Sequence, residues 1–430
     1  MKKTIFIAFI IACSLYFNLS PAQTGWQTQS VPLGSYSLTS VYPVNQNLCF
    51  ASSEYNVSTE NYYAIYKTTN SGVNWLQVSG GSGWFLRNIK FVDSLTGFAC
   101  GGLNRLYMTE NQYGKCVFKT TNGGLNWNVV YNIISIPGSE MELNDMYFLN
   151  SSTGWASSRD GSVMKSTNGG VNFTAYYTSP LFRKSSVSFV GPLYGWTAGD
   201  SGRIAYTING GINWTVLNSL SASHFKSIYF VDLNTGYVCG NNGLIFKSTN
   251  GGANWTGLNS GVTANLNSVY FISADTGWAA GTNTVIKTTN GGLNWISQYS
   301  STASLNSIRF FNSHTGWSCG GNKMLFTNSG GLVYVKEISS LTPGTFKLYN
   351  NYPNPFNPST VISFDVPLES TVQLKVYDIL GREVVTLLNK PLKPGKYEIL
   401  FNASNLSSGV YFCKLIAESY SSSIQLLLLK

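Results

Sequence analysis

Short runs of alternating apolar and polar residues recur along most of the chain. Residues 266–271 read Leu-Asn-Ser-Val-Tyr-Phe and residues 305–310 read Leu-Asn-Ser-Ile-Arg-Phe. A period of two places alternate side chains on opposite faces of a β-strand. Each run is followed by a Gly-aromatic segment, a segment that ends in Lys-Thr-Thr, and a segment that begins at Asn-Trp. The pattern predicts a repeating unit of four strands, labelled A to D in chain order.

The turn between strands C and D is the most regular part of the unit. Its clearest copies, at 119–127, 247–255 and 287–295, contain Asn-Gly-Gly followed by Asn-Trp. Glycine and asparagine tolerate the positive φ that a tight hairpin requires, and the side-chain oxygen of Asn is able to bond the backbone two residues on. We therefore predict a structural role for the first Asn of six turns: Asn70, Asn122, Asn168, Asn209, Asn250 and Asn290.

The spacing of these turns predicts the architecture. The last glycine of the turn falls at 72, 124, 170, 211, 252, 292 and 331. A four-stranded unit of about 40 residues that repeats around an axis is typical of a β-propeller blade. The sequence thus predicts an all-β chain with a seven-bladed propeller over 23–335. Residues 25–29 are expected to complete the last blade, which removes an open sheet edge.

The repeated residues support a resemblance. The Ser/Thr-x-Asn-x-Gly-x-Asn-Trp element resembles the Asp-box of neuraminidase-type repeats, with Asn in place of Asp. Over about 38–331 the unit is similar to the propeller family of photosystem II assembly and stability factors. That resemblance implies binding of partner proteins, whereas a photosynthetic role does not follow from the fold.

The first 22 residues predict an export signal. Lys2-Lys3 precede an apolar run from Ile5 to Phe17, and cleavage is expected after Ala22. The run is shorter than the roughly 20 residues that span a bilayer, and no later stretch predicts a transmembrane segment. Lipoprotein processing at Cys13 is the competing interpretation.

The repeat stops after Val335, and a different pattern follows. We expect a linker at 336–346 and a small Ig-like β-sandwich at 347–430, because alternating runs are separated there by turn signals. Its opening Tyr-Pro-Asn-Pro-Phe-Asn-Pro and its end resemble the type A C-terminal sorting domain of the type IX secretion system. The matching positions are Asp378, Gly381, Arg382, Gly409, Tyr411 and Lys430.

This second resemblance implies partners and a location. The type IX secretion machinery would carry the protein across the outer membrane, and a sortase would remove the tail. The expected location is the cell surface or the extracellular space. A carbohydrate-binding sandwich unrelated to export is the alternative.

Composition narrows the function classes. Lys and Arg number 27 against 18 Asp and Glu, a formal charge of +9, but only 10% of residues are charged and no basic run follows Lys3. Few charges argue against long amphipathic helices, and 14% aromatic residues argue against disorder. Without a clustered basic patch, nucleic-acid binding gains no support.

Candidate catalytic chemistry is sparse. Asp160 and Asp200 lie in B–C loops of neighbouring blades and could form the carboxylate pair of a glycoside hydrolase acting on extracellular polysaccharide. The alternative is that both are hairpin turn residues, as Asn241-Asn242-Gly243 is in the next blade. His224 and His314 lack metal-ligand spacing. We expect no enzyme activity, no cofactor and no metal.

Two repeated residue types allow two interpretations each. Cys100 and Cys116 face each other in the inferred B–C pairing of blade 2, so a disulfide there is open. Five lysines share a strand-C slot, either as solvated edge residues or as a positive ring toward an anionic glycan: Lys67, Lys119, Lys165, Lys247 and Lys287.

Insertions predict the binding face. Because strand direction alternates, A–B and C–D turns share one face, the turn face, and B–C and D–A loops share the other, the loop face. Insertions at 53–64, 101–115, 130–142 and 176–184 fall on the loop face, and such insertions usually mark a binding face. Packing of these loops over an apolar flank is the alternative. The predicted protein or glycan site comprises Tyr55, Tyr62, Tyr63, Trp84, Arg105, Tyr107, Tyr113, Tyr131, Tyr176, Tyr177 and Arg183.

Overall fold

The computed structural model describes residues 25–57, 60–107, 110–135, 141–331, 335–339, 342–357, 359–403 and 406–429. The predicted signal segment, Cys13 and Lys430 lie outside these residues. The protein divides into two compact units, Thr24–Leu332 and a second that contains Val333–Lys430. Each unit is described by itself.

Within the described residues, the first unit contains seven antiparallel sheets, which we call blades 1 to 7. Blade 1 comprises β2 Ser37–Pro43, β3 Cys49–Val57, β4 Glu60–Thr68 and β5 Leu76–Ser82. Blade 2 comprises β6 Phe85–Phe91, β7 Gly97–Tyr107, β8 Glu110–Thr120 and β9 Asn128–Ser135. Blade 3 comprises β10 Leu143–Phe148, β11 Gly154–Ser158, β12 Ser162–Ser166 and β13 Thr174–Tyr177.

Blades 4 to 6 follow the same order from strand A to strand D. Blade 4 comprises β14 Lys184–Val190, β15 Tyr194–Gly199, β16 Ile204–Thr207 and β17 Thr215–Val216. Blade 5 comprises β18 Phe225–Phe230, β19 Gly236–Gly240, β20 Ile245–Ser248 and β21 Thr256–Leu258. Blade 6 comprises β22 Leu266–Phe271, β23 Gly277–Thr288 and β24 Ile296–Ser304. In blade 6 strands B and C form one continuous element. Single 3₁₀ turns at Asp200–Gly202 and Asn241–Gly243 join strands B and C of blades 4 and 5.

Blade 7 combines the two ends of the unit. Its strands β25 Ser307–Phe310, β26 Gly316–Gly320 and β27 Lys323–Gly331 are completed by β1 Gly25–Gln29, which pairs antiparallel with β27. The amide of Gln29 also reaches blade 1, where it donates to the Ser71 carbonyl at 2.6 Å and accepts from Trp75 Nε1 at 3.1 Å. The N-terminal strand therefore closes the ring.

A hydrogen-bond network centred on an Asn side chain closes the C–D turns of blades 1 to 6. In blade 5, Asn250 Oδ1 accepts from the Ser248 hydroxyl at 3.1 Å and from the Asn254 amide at 2.9 Å. Ser248 Oγ accepts from the Gly252 amide at 2.8 Å. Asn70, Asn122, Asn168, Asn209 and Asn290 make the same pair of contacts in their own turns.

The Gly-aromatic motif at the start of strand B has a steric cause. A Cβ on Gly277 would lie 2.4 Å from the ring of Phe271, the last residue of strand A in the same blade. The aromatic residue after five of these glycines stacks on the Phe of the next blade; Trp196 on Phe230 is one example, with centroids 3.5 Å apart. Trp317 is the exception, because blade 1 has Pro43 at that position, and it lies tilted against Phe326 of its own blade. The Trp after the C–D turn then meets the stacked Phe edge-on, as Trp255 meets Phe230. Aromatic stacks thus join neighbouring blades.

The five strand-C lysines belong to the same blade contacts. Lys287 Nζ lies 4.9 Å from the Trp278 ring and donates to the Gly330 carbonyl in the next blade at 3.0 Å. Lys67 and Lys247 likewise donate to the turn carbonyls of Gly123 and Gly291. Neither a solvated edge nor a free positive ring describes these three lysines, because their ammonium groups are bound to the neighbouring turn.

Two of the four predicted insertions are strands. Blade 1 continues its B–C hairpin through β3 and β4, and blade 2 does so through β7 and β8, each 11 residues long. Alternating side chains let the ladder continue past the blade, so the expected loops are extended hairpins.

Cys100 and Cys116 do not form a disulfide, and all described cysteines are free and buried. The register pairs Cys100 with Val117 and Cys116 with Gly101. An offset of one residue turns the two side chains to opposite faces of the sheet. Cys100 packs in the cluster with Met146, and Cys116 in the cluster with Phe50.

The second unit is a sandwich of two four-stranded sheets. One has the order β28 Val335–Ser339, β33 Gly395–Asn402, β30 Ser359–Val366 and β29 Lys347–Leu348. The other has the order β32 Glu383–Leu392, β31 Ser370–Tyr377, β34 Gly409–Ala417 and β35 Tyr420–Leu428. Phe364 and Ile399 from the first sheet share one apolar core with Val376 and Leu415 from the second.

The predicted linker at 336–346 requires a correction. Residues 335–339 pair with β33 and belong to the second unit. The partner strand lies about 60 residues further along the sequence, so local sequence offers no sign of this edge pairing.

Candidate functional site

A cavity of about 660 Å³ opens at the propeller axis on the turn face. Strand A of every blade contributes to its wall, and A–B turn residues such as Asn45, Ser94 and Phe311 form its mouth. The volume falls within the roughly 300–1,000 Å³ of small-ligand sites. We call it the axial cavity.

One slot of strand A defines the wall chemistry. It is the position just before the terminal Phe (before Pro43 in blade 1), and alternation turns it toward the axis while its neighbours pack between blades. Its occupants, in blade order, are Tyr42, Lys90, Tyr147, Ser188, Tyr229, Tyr270 and Arg309. Four phenols and two cations therefore surround the cavity.

The two cations differ in their partners. Lys90 Nζ lies 3.5 Å from Asp145 Oδ1. Asp145 Oδ2 also accepts from the Ser186 hydroxyl and from the Val187 amide. Arg309 Nη1 donates to the Ile308 carbonyl at 2.7 Å and to the Ser268 hydroxyl at 3.1 Å. Burial lowers the pKa of Lys90, and the Asp145 carboxylate offsets part of that effect.

Burial also determines the protonation of the phenols. It raises the pKa of Tyr42 to about 12, and it raises the pKa values of Tyr147, Tyr229 and Tyr270. A phenol of raised pKa stays protonated at neutral pH and can donate a hydrogen bond.

Below the phenols, small polar side chains join the strands at the axis. Ser186, Ser227 and Ser268 accept from backbone amides of the next blade, for example Ile228 N to Ser186 Oγ at 3.2 Å. A polar space of about 80 Å³ lies on this side of the axis. These hydrogen bonds hold the strands that carry the cavity wall.

Exposed apolar side chains surround the cavity mouth. Leu95, Leu193, Leu233 and Phe311 lie in A–B turns and are 45–57% exposed. The residue after the last glycine of the C–D turn is exposed as well, in Val73, Leu125, Val171, Ile212 and Leu293. Larger exposed apolar patches mark interaction sites, so the turn face combines a cavity with an apolar rim.

The predicted loop-face site is only partly available as a surface. Tyr63 packs on Phe118 with centroids 4.7 Å apart, Tyr131 packs on Phe173 at 5.0 Å, and Trp84 packs against the cluster of blades 1 and 2. Tyr55 lies 6.0 Å from the Tyr62 ring. Tyr177 and Arg183 are exposed, whereas Tyr113 and Tyr176 are half-buried. The side chains of Arg105 and Tyr107 lie outside the described residues.

The two candidate catalytic acids make separate local contacts. Asp160 Oδ2 lies 2.6 Å from Lys115 Nζ, and Asp160 Oδ1 accepts from the Ser162 hydroxyl and amide. Burial alone would raise the pKa of Asp160, but the ion pair with Lys115 and these hydrogen bonds lower it. Asp200 lies 3.1 Å from His224 Nδ1 in blade 5. A general acid needs a raised pKa, which Asp160 does not have.

The sorting-signal positions of the second unit stabilise turns. Asp378 Oδ1 accepts from the amides of Leu380 and Arg382, and Asp378 Oδ2 pairs with the Arg382 guanidinium at 2.7 Å. Gly381 has φ +75° in this turn. Tyr411 donates to the Ser407 carbonyl at 2.9 Å, two residues before Gly409.

Two kinds of feature are absent from the described residues. No cluster of three His, Cys, Asp or Glu side chains is arranged there to hold a metal ion. No helix in the same part of the protein has the length and apolar character needed to cross a membrane.

Sequence comparison matches two parts of the protein. Residues 350–429 match the family model of the secretion system C-terminal sorting domain, and residues 213–299 match that of the photosynthesis system II assembly factor YCF48. No curated protein matches the sequence.

Solved structures match the propeller. YCF48 from Cyanidioschyzon merolae matches with a TM-score of 0.54 and 16% identity, and the match covers 71% of this chain and 98% of that chain. A structure of YCF48 bound to D1 peptide matches with a TM-score of 0.55 and 14% identity, over 71% of this chain and 97% of that chain. The WD40 propeller domain of Doa1 matches with a TM-score of 0.53 and 14% identity, over 71% of this chain and 98% of that chain. At these identities the likeness concerns the fold. The protein thus resembles YCF48-type propellers and ends in a type IX sorting domain, which directs export across the outer membrane to the cell surface or the extracellular space.

Proposed function

We propose that the protein is an exported, non-catalytic binding module whose turn face holds another protein. The observation that supports this most is the axial cavity of about 660 Å³ with its rim of exposed apolar side chains. Protein interfaces are typically built from an apolar centre with a few polar anchors. The similar fold of YCF48 has been solved with a bound peptide, which supports a polypeptide ligand here as well.

Site-specific crosslinking tests this proposal against the loop face. A photo-crosslinking amino acid is placed at Leu125 or Leu293 on the turn face, or at Tyr177 on the loop face, in the full-length exported protein. Illumination on intact cells should give discrete adducts from the two turn-face positions and none from Tyr177. Adducts from Tyr177 alone would place the site on the loop face and refute the proposal.

The alternative hydrolase function has its own test. A glycan-hydrolysis screen compares the wild type with Asp160→Asn and Asp200→Asn. We expect no turnover by any of the three proteins. Turnover by the wild type that either variant loses would favour the glycoside hydrolase.

Delivery by the type IX machinery, with removal of the tail by a sortase, is the remaining part of the proposal. Deletion of residues 333–430 should leave the propeller in the periplasm, since the whole second unit with the sorting domain would be missing. A tail in which Asp378 is changed to Ala tests whether the turn that it holds matters for transport. Release of the deleted form into the medium would contradict the route.

A further inference from the structure

Arg309 has hydrogen-bond donors to spare at the cavity wall. Its Nη1 contacts the Ser268 hydroxyl and the Ile308 carbonyl, and no ion pair joins it to a carboxylate among the described residues. Lys90, the other wall cation, already forms an ion pair with Asp145. A guanidinium presents five N–H donors in a planar fork that matches a carboxylate. Arg309 is therefore the wall cation without an ion pair among the described residues, although the cavity lining also includes the Asp93 carboxylate of an A–B turn.

Two wall phenols have hydroxyls without a hydrogen-bond partner in the part of the protein that the structure describes. Neither Tyr42 nor Tyr147 hydrogen-bonds any described residue through its hydroxyl, whereas the Tyr229 and Tyr270 rings lie 5.0 Å apart and each phenol affects the pKa of the other. Burial keeps the Tyr42 and Tyr147 hydroxyls protonated, as their raised pKa values show. These hydroxyls add two neutral donors to the free donors of Arg309.

Each wall phenol already has an aromatic ring or a cation of the protein near its own ring. Tyr42 stacks beside Phe91 at 6.2 Å, Lys90 lies 5.9 Å from the Tyr147 ring, and Arg309 lies 5.6 Å from the Tyr270 ring. Tyr229 and Tyr270 are 5.0 Å apart. A sugar stacks on an open aromatic face, so the wall offers hydroxyls and charge rather than stacking platforms. The aliphatic rim suits the apolar side chains of a polypeptide.

We propose that the axial cavity binds a carboxylate of a partner polypeptide, with Arg309 forming the ion pair and with Tyr42 and Tyr147 donating hydrogen bonds. The inference rests on the proposed binding function and specifies its ligand chemistry. The carboxylate comes either from the free C-terminus of the partner or from an Asp or Glu side chain, since both present the same pair of oxygens.

Three pools of random hexapeptides test the proposal with the full-length protein. The first has free C-termini and no acidic residues, the second is amidated with one Glu, and the third is amidated with Gln in its place. Retention on immobilised protein is measured by mass spectrometry. We expect at least one acidic pool to be retained about tenfold more than the Gln pool. The pool that binds identifies the source of the carboxylate.

Variants connect retention to the wall. Arg309→Gln should reduce the retention of the acidic pools to that of the Gln pool, and Arg309→Lys should restore part of the difference. Tyr42→Phe and Tyr147→Phe should each lower the retention of the acidic pools several-fold. Lys323→Gln, which removes a cation at the loop-face end of strand β27, is the matched control and should retain the pools like the wild type. Unchanged thermal unfolding of Tyr42→Phe shows that its fold is intact.

Three results would overturn the inference. These are equal retention of all pools, unaltered retention by Arg309→Gln, and preferential retention of oligogalacturonate over every peptide pool. Turn-face crosslinks that persist in Arg309→Gln would leave the proposed function standing while removing the carboxylate site. Absence of turn-face crosslinks would refute the proposed function whichever pool is retained.

Discussion

The half of each blade toward the turn face and the half toward the loop face differ in how much they stabilise the propeller and in how much they vary from blade to blade. The half toward the turn face contains the Phe-Gly-aromatic stacks, the closed C–D turns and the bound lysines, nearly identical from blade to blade. The half toward the loop face contains hairpins of different length, such as β3–β4 and β7–β8. Yet the cavity opens on the uniform face. Regular turns fix the positions of the strand-A slot, and substitutions within that slot change the chemistry of the cavity wall without any change in loop length.

The largest expected effect is loss of an inter-blade stack. Phe271→Ala removes a ring that is 1% exposed and that stacks on Tyr237 at 3.5 Å. Removal of a buried Phe costs about 3–5 kcal/mol, because both the transfer free energy and packing are lost. Chemical denaturation of the full-length protein measures the free energy of unfolding of the propeller.

The loop-face control for this variant is Tyr177→Ala. Tyr177 is 60% exposed, and exposed substitutions usually change stability by less than about 0.5 kcal/mol. Comparable losses in the two variants would contradict the division of the blade into a stabilising half and a variable half.

The sequence predicts the propeller because its determinants are local and repeated. Asn250 and Gly252 close their turn through contacts within five residues, so the motif and its spacing are sufficient. The closing strand β1 is predicted because blade 7 otherwise lacks a strand D. The strand at 335–339 could not be predicted, since its partner β33 is distant in the sequence.

The axial cavity was missed for a different reason. Variation in loop length predicts a site on the loop face, whereas the cavity wall is determined by one equivalent position of strand A in all seven blades. Tyr270 and Arg309 occupy equivalent positions in residues 266–271 and 305–310, the two runs that first reveal the repeat. In repeats that are otherwise nearly identical, this slot changes between Tyr, Lys, Ser and Arg, and that variation is the sequence signal on which the proposed site rests.

A smaller effect is expected from opening one C–D turn. Asn250→Ala removes the acceptor of two hydrogen bonds, one from Ser248 and one from the Asn254 amide. Loss of a capping or turn-closing side chain costs about 1–2 kcal/mol. The matched control is Asn259→Ala, because among the described residues Asn259 Oδ1 accepts from the exposed Gly261 amide alone, in a D–A loop. Denaturant midpoints measure both variants. A larger loss in Asn259→Ala would reverse the comparison between the two faces.

The smallest effect concerns pH and the lysine of blade 6. Burial lowers the pKa of Lys287 from its ordinary 10.5 to about 8. Between pH 8 and 10.5 the unfolded state therefore binds more protons than the folded state at this site, so its contribution makes stability rise with pH. From pH 7 to 9 the gain is at most about 1.4 kcal/mol, which corresponds to one pKa unit. Lys287→Met should flatten this rise in denaturation curves measured at pH 7, 8 and 9, while lowering stability overall because the bond to the Gly330 carbonyl is lost. A variant that keeps the full slope would place the pH response elsewhere, and the turn-face half would then stabilise the ring through its aromatic stacks and closed turns without a titrating lysine.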